Sequence, residues 1–192
     1  MGCAFRFIQY ITSLFILGCL GLVTTSAVLD FWWTNDYLIQ QDAKGLWRKC
    51  VKRITYDTYN CETYDNLFKF SNYKDTDILL LSLCVCAVFM STAFILILIS
   101  ICQRYPSKCL ILFKAVMTLF GVFACGFALF WGLFKVERQS SNTKLGFVFY
   151  LMYGAMGSAV LALIFSIVLL CIQAPGAYRV TKKDDEIIML AR

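Results

Sequence analysis

Hydrophobic and polar positions fall along this chain in long blocks, with little of the short-period alternation of a soluble sheet or helix. Four blocks are almost free of charge: 7–29, 78–102, 110–134 and 145–172. A bilayer core about 30 Å thick is crossed by roughly 20 apolar residues of helix, so each block is long enough to span it. The connections 103–109 and 135–144 are short, whereas 30–77, between the first two blocks, has 48 residues. The pattern predicts one tetraspan domain over 1–192, with 1–6, 103–109 and 173–192 on one side of the membrane and 30–77 and 135–144 on the other.

Two blocks carry a qualification. Arg6 precedes the first, and Thr25, Ser26 and Ala27 are small residues near a plausible cleavage point, which is also how a secretory signal reads. Its 23 uncharged residues are long for a signal core, so an uncleaved span is expected. The third block contains Lys114, five residues from its start. Its long stem is expected to carry the ammonium back to the headgroups, the alternative being a buried functional charge.

The 30–77 segment is too long for a plain connector and predicts a small folded ectodomain. Strand-forming residues cluster at Phe31-Trp32-Trp33-Thr34, at Gly45 to Val51, and from Ile54 through Tyr64. Trp32 and Trp33, just outside the first span, are expected in an interfacial aromatic belt. Trp47 lies too far along for that and is expected to cap the underside of a small sheet, anchoring it on the helix tops.

Composition agrees. The chain is 60% hydrophobic and 16% charged, an apolar excess that needs lipid rather than a core of its own. Histidine is absent, which removes imidazole triads, imidazole metal sites and a near-neutral pH switch. No phosphate loop, paired acidic metal box or nucleophile elbow occurs. No catalytic residue, metal or cofactor is expected, and the chain does not read as an enzyme. The net charge is +6, but 30–77 holds seven basic against eight acidic residues, so the excess sits mostly at the termini side. That is a feature of membrane orientation, with no nucleic-acid footprint.

Ten cysteines divide by position. Cys50 and Cys61, the pair in the long loop, are most simply a disulfide, which places that loop outside and the termini in the cytoplasm. The ten residues between them suit a clasp on two antiparallel strands around a turn. Cys3, Cys102, Cys109 and Cys171, at the cytoplasmic ends of spans, are candidates for S-palmitoylation or are free thiols. Cys19, Cys84, Cys86 and Cys125 are expected as packing residues within spans. Gly154, Ala155, Gly157, Ser158 and Ala159 form a small-residue patch expected to pack inside the bundle.

Gly45-Leu46-Trp47, with Cys50 and Cys61 following and Trp33 upstream after the first span, resembles the signature of the claudin superfamily. That group takes in claudins, the peripheral myelin and epithelial membrane proteins, the lens fibre membrane protein and gamma-type channel subunits. The resemblance implies an all-α membrane protein with a small β ectodomain: a left-handed four-helix bundle topped by an antiparallel extracellular sheet. It implies that Cys50 and Cys61 join adjacent strands, and that Trp33, Gly45, Leu46 and Trp47 seat the sheet. Several features depart from claudins: 13 residues between Trp33 and Trp47, the acidic entry Lys74-Asp75-Thr76-Asp77, the short second loop, and no glycosylation acceptor in either outer loop. Arg192 is not the apolar terminal residue that PDZ grooves accept, so PDZ docking is not expected.

The function expected is a structural or adhesive role at cell–cell contacts of the plasma membrane. Its partners would be lipid and other membrane proteins in cis or trans: self, junction proteins or a channel. The alternative is an auxiliary subunit that modulates an ion channel or receptor. If the loop lined a path between cells, Glu62, Asp65, Lys69 and Lys74 would be its charges, and their mixed signs predict weak charge selectivity.

Overall fold

The structure is a computed structural model and describes residues 3–29, 32–36, 40–53, 58–63, 75–103, 106–139 and 143–173. Four α-helices run through it: α1 (Cys3–Val28), α2 (Asp75–Cys102), α3 (Lys108–Gln139) and α4 (Phe147–Gln173). Each contains a stretch long and apolar enough to cross a membrane, the four being Ala4–Val28, Asp77–Cys102, Lys108–Phe134 and Phe147–Ile172. Helix is the form such sequences must take in lipid, because it satisfies every backbone group within the segment. α1 packs on α2 and α4, and α3 packs on the same two, closing a four-membered ring. Ser107 starts α3, its hydroxyl accepting from the Leu110 N–H at 3.2 Å, as an N-cap residue does.

Five short strands form one antiparallel sheet in the order β4-β3-β2-β1-β5. They are β1 (Trp33–Asp36), β2 (Gln40–Lys44), β3 (Arg48–Arg53), β4 (Tyr59–Thr63) and β5 (Thr143–Leu145). Two of these strands are additions to the sequence reading. β2, Gln-Gln-Asp-Ala-Lys, has no β-branched or aromatic residue, and pairing with β1 and β3 on both sides overrides its weak propensity. β5 comes from the second connection and pairs with β1, so Leu145 stands in the sheet and α4 starts at Phe147.

The bundle core is continuous from Ile16 and Cys19 up to Trp32, Trp33 and Leu46 under the sheet. Close approach depends on glycine at two places. A Cβ at Gly132 would fall 2.8 Å from Phe149 Cζ, and one at Gly121 would fall 2.5 Å from Met90 Sδ. The small-residue patch of α4 is divided: Ala155 and Ala159 are buried in the bundle, whereas Gly154 and Gly157 are exposed, although a Cβ at Gly154 would meet Leu22 at 3.3 Å. Gly157 meets nothing within 4 Å.

Two expectations about side chains are corrected. Lys114 does not reach back to the headgroups. It is 1% exposed, because position 114 shares the inward stripe of α3 with Ile111, Ala115 and Thr118. Cys84 does not pack in the core but lies on the outer surface of the bundle, while Cys19, Cys86 and Cys125 are buried.

Candidate functional site

The last carbonyl groups of a helix have no partner within it, and near lipid each one left unpaired is costly. At the end of α1 the chain satisfies three in succession. The Leu29 N–H donates to the Thr25 carbonyl at 3.1 Å. The Trp32 indole N–H donates to the Ser26 carbonyl at 2.9 Å, and the Trp47 indole N–H donates to the Ala27 carbonyl. Two tryptophans, one before β1 and one in the β2–β3 turn, therefore cap the first helix.

This overturns the interfacial-belt expectation for Trp32 and Trp33, which are 0% and 4% exposed. Trp32 is fixed along its backbone as well, donating to the Lys44 carbonyl at 3.1 Å and accepting from the Gly146 N–H at 2.9 Å. Its ring meets Phe149 edge-on with centroids 5.5 Å apart. Trp33 also meets Phe149 edge-on, at 6.4 Å, in the geometry that ring quadrupoles favour. The Trp33 indole N–H finds no acceptor among the described residues. Phe149 thus joins the foot of the sheet to α4, in space left by the missing side chain of Gly132.

Gly45, Leu46 and Trp47 form the tip of the β2–β3 hairpin, closed by the Gly45 N–H donating to the Arg48 carbonyl at 2.9 Å. Leu46 is fully buried in the same core as Trp32 and Trp33. The hairpin tip therefore dips into the bundle, and Trp47 does anchor the sheet on a helix top.

Strand register separates the two faces of the sheet. Trp33, Lys44, Lys49 and Glu62 stand in one cross-strand row, while Thr34, Ala43, Cys50 and Cys61 stand in the next. Successive residues point to opposite faces, so the Cys50–Cys61 disulfide occupies the face opposite the one that carries Trp33. Cys50 and Cys61 are direct partners of β3 and β4. On the Trp33 face, Asp42 is buried, with one oxygen 3.4 Å from the half-exposed Lys49 ammonium. Its other oxygen has no partner among the described residues. All five residues of β4 are exposed, and the Tyr59 hydroxyl donates to Gln41 at 3.1 Å, with Lys52 over the Tyr59 ring.

The structure thus brings Trp33, Gly45, Leu46, Trp47, Cys50 and Cys61 into one unit. Sequence reasoning missed Phe149, Gly132 and the acceptor carbonyls of Ser26 and Ala27. All lie inside apolar blocks, where one more apolar or small residue gives no signal. Cys102, Cys109 and Cys171 are exposed at the far end of the bundle, whereas the Cys3 side chain lies outside the described residues. So do Asp65, Lys69, Lys74 and the segment 174–192. The chain matches no known protein-family model, and no curated protein matches it.

Proposed function

We propose that the chain is a claudin-like protein of the plasma membrane, with its sheet outside, its termini in the cytoplasm and a structural or adhesive role at cell–cell contacts. The observation that carries the reading is the Cys50–Cys61 clasp across β3 and β4. A disulfide forms and persists in an oxidising compartment, which favours the outer side for the sheet. The clasped sheet is held on the bundle by Trp32, Trp47 and Leu46, and it presents β4 to whatever lies beyond. Such a platform suits recognition by shape. Expression in non-adherent cells tests the role: concentration at new contacts is expected, and an even surface distribution overturns it.

A second reading, an auxiliary subunit of a channel or receptor, is favoured by one feature of α3. Phe113, Phe120, Phe123, Phe127, Phe130 and Phe134 are all exposed on it, at spacings of three, four and seven residues that form one face. An aromatic face of that length suits a facing helix of another membrane protein. Purification from native membrane separates the readings. Stoichiometric co-isolation of a channel supports the second, and its absence supports the first.

A further inference from the structure

Lys114 is the only charged residue in the four apolar blocks, and it is buried inside the bundle. It has polar company. Gln9 and Thr12 of α1, Ser100 of α2, Lys114 and Thr118 of α3, and Ser166 of α4 are all at most 2% exposed. Every helix contributes to this belt. It lies between the large core under the sheet and a small cluster of Phe5, Ile111 and Leu169 at the opposite end.

The neutral members of the belt largely satisfy one another or their own helices. Gln9 Nε2 donates to Ser100 Oγ at 2.6 Å, tying α1 to α2. The hydroxyls of Thr12, Thr118 and Ser166 donate to the carbonyls of Ile8, Lys114 and Ala162. The charge is a different matter. No Asp or Glu stands in any of the apolar blocks, and among the described residues no ion pair engages the Lys114 ammonium. A buried charge that persists in a membrane bundle is paired or marks a site, and no acidic residue of the apolar blocks offers Lys114 a negative partner.

We propose that Lys114, with the Gln9–Ser100 pair, binds a phosphate group that enters from the membrane face at the end of the bundle away from the sheet. Lys114 stands six residues beyond Lys108, the first residue of α3, about 9 Å along the axis. That is nearer the end of the span than its middle. Arg6 and Lys108 are exposed at the same end and draw anions toward it. The ammonium holds phosphate as a point charge, and the second N–H of Gln9 and the Ser100 hydroxyl can donate to its other oxygens. An anionic lipid and free phosphate offer the same group. The inference stands independently of any role at cell contacts.

The test uses the full chain in dodecyl maltoside micelles, which carry no phosphate, to which either phosphatidylglycerol or inorganic phosphate is added. Thermal unfolding is followed in the wild type and in Lys114→Met, which keeps the volume of the stem and removes the charge. The wild type is expected to gain stability saturably with one of the two anions. Phosphatidylglycerol acting alone identifies the lipid as the source, and phosphate acting alone identifies the free ion. Lys114→Met is expected to fold and to weaken that affinity at least about tenfold, the loss of a charge-assisted contact. Ser100→Ala should weaken it less, and Arg6→Gln should lower affinity while leaving the response saturable. Equal responses in the wild type and Lys114→Met would overturn the proposal. So would a wild type that is destabilised by Asp184→Asn, Asp185→Asn and Glu186→Gln together while Lys114→Met is not, since the tail would then supply the countercharge.

Discussion

The indole N–H of Trp32 donates to the carbonyl oxygen of Ser26 at 2.9 Å, joining the first residue of the sheet's foot to the last turn of α1. Trp47 does the same for the next carbonyl, that of Ala27. Trp32→Phe and Trp47→Phe keep most of the ring and remove the donor, so each isolates one role of the side chain. Each is expected to lower stability by about 1–3 kcal/mol, the cost of a stranded buried carbonyl. Thermal unfolding in detergent measures it. Unchanged midpoints in both variants would show that the carbonyls find other donors and that only the ring areas count.

Gly121 and Gly132 both lie under a close neighbour, but the neighbours differ in freedom. The nearest atom to a Cβ at Gly121 is Met90 Sδ, at 2.5 Å, whereas at Gly132 it is Phe149 Cζ, at 2.8 Å. Met90 has rotatable bonds with which to yield. Phe149 is held between Trp32 and Trp33. Gly132→Ala should therefore destabilise more than Gly121→Ala despite the longer distance, by about 1–3 kcal/mol as for an overpacked core. The reverse order would mean that the Phe149 ring can move.

Cys50→Ser and Cys61→Ser remove a bond that closes a short loop, the two residues being 11 apart. The loss expected from loop closure is about 3 kcal/mol. Both variants should be retained before the surface to the same extent, and non-reducing electrophoresis should show the lost bond. Normal surface arrival of either would make the clasp dispensable.

Asp42 is buried while Lys49, its partner, is half exposed, so the pair is unequal. Asp42→Asn removes the buried charge, whereas Lys49→Met leaves it without a counterpart. Lys49→Met is expected to destabilise, and adding Asp42→Asn should recover part of the loss, since an uncompensated buried charge costs more than a missing pair. If the double variant is less stable than Lys49→Met alone, the carboxylate is held by something other than Lys49.

What the sequence revealed of this fold follows the strength of each physical signal. The four helices were legible because lipid demands long uncharged runs, a requirement that no local exception obscures. The Cys50–Cys61 pair was legible because two thiols share a polar loop. β2 was not, since Gln40 to Lys44 become a strand only through neighbours on both sides. The role of Trp32 was misread because proximity to a span is the same for a belt residue and for a helix cap, and its neighbour Trp33 is buried against Phe149. Only the position of the Ser26 carbonyl separates the two. Lys114 was misread for a similar reason: its depth permitted a reach to the surface, and its place on the inward stripe of α3 denied it.

β5 lies between α3 and α4, yet its partner in the sheet is β1, more than a hundred residues earlier in the chain. Strands β1 to β4 precede α2, so during synthesis they can pair while the later helices are still to come. Until Thr143 to Leu145 arrive, the outer edge of β1 remains unpaired, an exposed template for wrong partners. The Gly146 N–H that meets the Trp32 carbonyl arrives with them. Completion of the sheet thus reports, at the surface of the protein, that the chain has passed the third helix and returned to the sheet. A chain truncated before β5 would carry an unfinished edge by which quality control could recognise it.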